Sequence, residues 1–241
     1  MPQQRPTPPL PRQHRGRLSD TLVTLAGTPD DHCAVEGHLI TIAELSAQHV
    51  AAVSYASVTA HRQGAYTTVA ASNDIAHAVD QAQYADQQGP CLEALDTGRP
   101  LPVLDIAATM RWPGFRDTAY RLGLHTSLSV PLFAGRGKPI AALNLYGHDP
   151  TTMMKLTAAV WATYDQPSPI SPDCADLDPG GAELVTGLSD AFAVMATIQQ
   201  AIGVLAAKQP SSPDRAYAIL RIRAVNAGKT LLGTATDVIT E

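Results

Sequence analysis

Apolar positions change their period several times along the chain, and the changes separate two architectures. From His38 to Gln48 they fall at Leu39, Ile42, Ala43 and Leu45, which predicts a helix. HVAAVSYASV, 49–58, is valine-rich and ends in alternation. AYTTVAAS, 65–72, follows the turn residues RQG, and the two stretches predict paired strands. DIAHAVDQAQYADQ, 74–87, predicts a helix with Asn73 or Asp74 as its N-cap. PLPVLDI predicts a short strand, and GFRDTAYRLG a helix stopped by Gly123. TSLSVPLFA and PIAALNLYG predict two strands joined by the GRGK turn, and TTMMKLTAAVWATY one more helix. This order predicts an α+β domain over residues 18–164, an antiparallel sheet with helices packed on it.

The pattern then stops. Residues 165–183 carry four prolines and five acids with no base, and read as a linker. Beyond it, Leu184, Leu188, Ala191, Met195, Ile198, Ile202 and Leu205 repeat at spacings of 4 and 3. That is an a/d seam of about three heptads. Such a face needs a cover: the short helices that follow, another copy of the chain, or both. The seam is taken here as a dimer contact. Gln209-Pro210 ends the helix. Ser212, Pro213 and Asp214 supply an N-cap, a first-turn proline and an acid against the dipole of the next. Ala216, Leu220, Ala224 and Ala227 form its inner face, and Gly228 ends it. Thr230 caps a last helix with Leu231, Ala235, Val238 and Ile239 inward. Residues 184–241 therefore predict an all-α three-helix unit.

Charge sharpens this division. Residues 1–17 hold four arginines and no acid, and read as a disordered tail. Residues 18–187 carry 8 basic and 18 acidic residues, whereas 188–241 carry 5 and 4. A chain with net charge −5 is not built as a whole to bind a polyanion, and its C-terminal unit is the folded part least hostile to one. No run of about 18 consecutive apolar residues occurs, so no membrane-spanning helix is expected. The N-terminus MPQQRPTPPLPRQHRGR lacks the apolar core of a signal peptide, and a cytoplasmic protein is expected.

Catalytic chemistry is not visible. AGKT at 227–230 echoes the end of a phosphate-binding loop, but Arg223 stands where that motif needs glycine, and a helix precedes it. The eight histidines show no paired-ligand spacing, and Asp31-His32-Cys33 reads as a surface loop. Ser127 and Ser129 lie in a strand pattern without the GxSxG turn. No enzyme, metal or cofactor is expected. Cys91, in QQGPCLEALDTG, enters a short helix. It reads either as a redox sensor with a lowered thiol pKa or as a small buried packing residue.

Two regions carry resemblances. QQGPCLEALDTGRPLPV and WPGFRDTAYRLGLHTSLSVPLFAGRGKPIAALNLYG, within residues 35–150, resemble the GAF domain of actinobacterial regulators. That likeness implies a sheet and helices enclosing a pocket for an unknown small ligand. Residues 184–241 resemble an ANTAR domain at Gln200, Ala201, Gly203, Leu205, Ala216, Tyr217, Leu220, Arg221, Ala224, Asn226, Lys229 and Leu231. It implies a three-helix RNA-binding antiterminator that dimerises through its leading helix and recognises paired leader-transcript hairpins. One position departs from the family: Ile202 stands where a lysine is usual. The candidate RNA-binding residues are Lys208, Arg215, Arg221, Arg223, Asn226 and Lys229.

The resulting expectation is a signal-responsive RNA-binding antiterminator, controlled through its dimer population or by masking of its RNA face. The alternatives are a protein-contact module that has lost RNA binding, and a DNA-binding regulator. TLLGTATDVITE holds no base and two acids, a poor recognition helix for the latter.

Overall fold

The computed structural model describes residues 17–62, 64–165, 174–208 and 210–241. The tail read over 1–17 lies outside the described residues except for Arg17, which opens helix α1 (Arg17–Ala26). Leu18, Leu22 and Leu25 make one apolar stripe along α1. Helix α2 (Ala34–His49) follows, then strands β1 (Tyr55–Arg62) and β2 (Ala65–Ala71). Next come helices α3 (Asp74–Asp86) and α4 (Pro90–Thr97), strand β3 (Leu101–Val103) and helix α5 (Pro113–Arg121). Strands β4 (Thr126–Ala134) and β5 (Lys138–Gly147) and helix α6 (Pro150–Asp165) complete the α+β part.

The five strands form one antiparallel sheet in the order β2-β1-β5-β4-β3. Val50 to Ser54, read from the sequence as strand, instead cap α2 and turn into β1. Alternation sends Ala56, Val58, Leu128, Val130, Leu143 and Leu145 to one face, where α1, α2 and α6 cover them. The opposite face carries Ser57, Thr59, Ser129, Asn144 and Tyr146, and lies under α3 and α4. The sheet is thus buried on both sides, with apolar residues on one and mostly polar ones on the other.

Helix α7 (Pro179–Lys208) is 30 residues long, and α8 (Pro213–Ala227) and α9 (Leu231–Thr240) fold back on its C-terminal half. Of the segment read as a linker, 166–173 lie outside the described residues. Cys174 and Leu177 pack against the first core, and Pro179 already belongs to α7. The acid there serves the helix: the Asp178 carboxylate accepts from the Gly180 and Gly181 N–H groups at 3.0 and 3.2 Å.

The apolar seam of α7 is covered within the chain. Leu184, Val185 and Leu188 join the sheet core, while Ile198, Ile202 and Leu205 join a second core with Ala216, Tyr217, Leu220, Leu231, Ala235 and Val238. Ala191 and Met195 are partly buried against this second core. The face read as a dimer contact is therefore already occupied by α1, the sheet, α8 and α9. Seven seam positions cannot show which surface covers them; here α1 and the sheet core cover the first part, and α8 and α9 the last. By length and composition alone α7 is apolar enough to cross a membrane, a point that a count of consecutive apolar residues missed. Its hydropathy comes from the covered side together with Ala193, Ala196 and Ala207 on the exposed one.

Candidate nucleic-acid interface and sensor core

Helix α8 begins as its sequence predicts. The Ser212 hydroxyl accepts from Arg215 N–H at 3.3 Å, Pro213 occupies the first turn, and Gly228 closes the helix at φ 61°. Ala216, Tyr217, Leu220 and Ala224 face inward. The outward surface presents Arg215, Ala218, Ile222, Val225 and Asn226, with Ile222 60% and Val225 80% exposed.

The candidate basic residues do not form one continuous patch. Lys208 at the end of α7 and Arg215 are exposed. Arg223 turns to Glu241 at 3.2 Å and Lys229 to Asp237 at 2.7 Å, both acids at the C-terminal end of the chain. Arg221 lies on the other flank of α8 and pairs with Asp31 at 2.7 Å. Ile202, in place of the usual lysine, is a core residue, so that departure alters packing rather than the outer surface.

Arg221 is one part of a larger contact between the two halves. Between β4 and β5, Arg136 reaches Asp30 at 2.8 Å and Asp214 at 3.2 Å. The Tyr217 hydroxyl donates to Asp30 at 3.2 Å. The guanidinium carbons of Arg136 and Arg221 each lie 5.7 Å from the centre of the Tyr217 ring. Gln199 donates to the Arg136 carbonyl. Burial and the nearby Asp30 charge push the Tyr217 hydroxyl up to about 12, so it stays a donor. Gly135 permits this approach. Its φ is +51°, and a Cβ there would stand 2.2 Å from the Tyr217 oxygen. Arg136–Asp214 and Arg221–Asp31 are exposed pairs worth about 0.2–1 kcal/mol each, whereas the Asp30 side chain is mostly buried.

The other centre is polar and buried. Asp80 of α3 is fully buried. It accepts from Ser57 at 2.9 Å, Tyr146 at 2.8 Å, Thr68 at 3.0 Å and the Asn144 amide at 3.2 Å. Tyr84 joins Thr59 and Thr68 at 2.8 and 2.9 Å, and Ser129 donates to Asn144 at 2.9 Å. Burial raises the Asp80 carboxyl to about 6, and the hydroxyl donors moderate the rise. The network runs on to the surface. Gln83 donates to Tyr146 and accepts from Cys91 N–H at 3.0 Å, and its side chain packs against Gly89. Gly89 lines an open cleft of about 480 Å³ together with Gln88, Leu92, Glu93, Arg111 and Trp112. Arg111 stacks on Trp112 at 4.2 Å and pairs with Glu93 across that cleft.

Sequence reading missed this network, although one sign was present. Ala76, Val79, Asp80 and Gln83 share the buried side of α3, so the helical period carries two polar side chains into the core. Cys91 is fully buried 3.8 Å from the Thr59 hydroxyl, and burial pushes its thiol well up. That is opposite to the lowered pKa a redox sensor needs, and it favours the packing role.

Residues 39–156 match the family model for the GAF domain, and residues 186–239 match that for the ANTAR domain. The chain carries a GAF domain followed by an ANTAR domain. The GAF domain holds the sheet and the Asp80 network. The ANTAR domain holds most of α7 with α8 and α9. Both are regulatory rather than catalytic domains. A solved domain from a two-component sensor histidine kinase protein of Sinorhizobium meliloti is similar at 14% identity. The match covers 73% of this chain and 95% of that one, with a TM-score of 0.39. Comparison with curated protein sequences finds no match.

Proposed function

We propose that the chain is a signal-responsive transcription antiterminator whose ANTAR domain binds paired RNA hairpins and whose GAF domain senses a small molecule. The observation that carries this reading is the ANTAR match over 186–239, with α8 presenting Arg215, Ile222, Val225 and Asn226 to solvent. Lys208, Arg215 and Arg221 are the residues proposed for phosphate contact, and Asn226 with the apolar pair for splayed loop bases. Arg223 and Lys229 serve after exchanging their acidic partners for phosphate. The open cleft beside α4 and α5 is the proposed entry for the small molecule, since Gln83 and Gly89 link it to the Asp80 network. Two hairpins call for two copies of the chain, so a homodimer is part of the proposal. Because the α7 seam is filled internally, that dimer uses another surface.

The test is binding of the full chain to an RNA with two tandem hairpins over a salt series, with duplex DNA and a single hairpin as controls. The expected order is tandem hairpins first, with affinity falling as salt rises. Arg215→Ala is expected to weaken binding on the order of three- to tenfold and to reduce the salt slope by about one contact. Equal, weak binding of RNA and DNA overturns the reading. It would favour a protein-contact module, for which exposed Ile222 and Val225 already supply an apolar face.

A further inference from the structure

The contact around Tyr217 joins a loop of the sensor half to the side of α8 that carries Arg221. The loop between α1 and α2 brings two adjacent carboxylates, Asp30 to Tyr217 and Arg136, and Asp31 to Arg221. A carboxylate presents to a guanidinium the same kind of charged oxygen that an RNA phosphate does. Arg221 cannot serve both at full strength. Arg136 fixes the arrangement from the other side, because it holds Asp30 and Asp214 together across the two halves.

We propose that the Asp30–Asp31 loop, clamped by Arg136, is an intramolecular stand-in for RNA phosphate that holds α8 in a closed state and withholds Arg221 from RNA. The inference rests on the RNA-binding reading above and names the residues by which that activity is restrained. Its position suits control by the sensor. Arg136 lies in the turn joining β4 and β5, and those strands carry Ser129 and Asn144 of the Asp80 network. A shift of these strands therefore has a short covalent route to the clamp. The Arg136–Asp214 and Arg221–Asp31 pairs are exposed and weak, which suits a contact made to open.

The sign of one substitution separates this proposal from plain electrostatics. Arg136→Ala removes a positive charge from an RNA-binding protein, and charge counting alone predicts weaker binding. Loss of the clamp predicts tighter binding, because apparent affinity scales with the population of the competent state. The experiment measures tandem-hairpin RNA affinity for the full chain, Arg136→Ala and the double variant Asp30→Asn with Asp31→Asn. Thermal melts check that each is folded. Both variants are expected to bind on the order of three- to tenfold tighter than the parent. Hydrogen exchange in the first two turns of α8 is expected to speed up in both. If the parent binds RNA and Arg136→Ala binds equally or less well, the closed state is overturned and the RNA reading stands. If none of the three binds RNA better than duplex DNA, both proposals fall together.

Discussion

Asp80 makes the sensor core sensitive to protons. Its carboxyl is raised to about 6 in the fold from an ordinary value of 3.8. Between those values the folded protein holds a proton that the unfolded chain has released. Stability from this group therefore grows as pH falls from above 6 toward 4, and is lost as pH rises through 6. The slope in that window is at most about 1.4 kcal/mol per pH unit. Melting curves taken from about pH 7.5 down to about pH 5 are expected to show this component in the parent. Asp80→Asn removes the titrating group and should flatten the curve by that amount. An identical pH profile in the variant would show that solvent already reaches the carboxylate. The residue itself was legible in the sequence as a letter but not as a site. An aspartate on a helix is normally a solvated one, and here donors on the sheet, Ser57, Thr68, Tyr146 and Asn144, offset its burial.

At the scale of elements, the close approach of α1 to α7 depends on one position. A Cβ at Gly187 would stand 2.6 Å from Ser19 Cα and 2.8 Å from a Leu22 methyl. Gly187→Leu is expected to displace α1 and to cost about 1–3 kcal/mol in denaturant unfolding. Gly203, further along the same helix, faces open space, so Gly203→Ala should instead stabilise by about 0.4–1 kcal/mol. Equal effects at the two glycines would contradict the packing described. Local signals in the sequence told most of this story. The side chains of Asn73, Ser212 and Thr230 all cap helices, and Gly228 ends one. The β4–β5 hairpin turns at GRGK. What the sequence left open was longer in range. The heptad seam announces a covered face but not its cover, and the α1 stripe of Leu18, Leu22 and Leu25 follows so closely on a polar tail that the local pattern does not mark a helix there. The clamp around Tyr217 joins residues up to 187 positions apart, and no local pattern records it.

For the whole molecule, α7 is a structural member of both halves. Its N-terminal part completes the sheet core, and its C-terminal part is the floor of the three-helix core. The two halves are therefore expected to unfold in one cooperative step. Trp112 and Trp161 both lie in the sensor half, so their fluorescence follows that half alone. Amide exchange in α8 and α9 follows the other. Coincident midpoints in denaturant are expected from the two probes. Separate midpoints would place a break within α7.

Helix α1 lies before both family-matched segments, which begin at residue 39 and residue 186. Yet Leu18, Leu22 and Leu25 belong to the first core, and Val23 and Ala26 pack with the second. The limits of recognisable ancestry and the limits of the folded object therefore differ in this chain. A fragment cut to the recognisable part would lose the strap that spans its two cores.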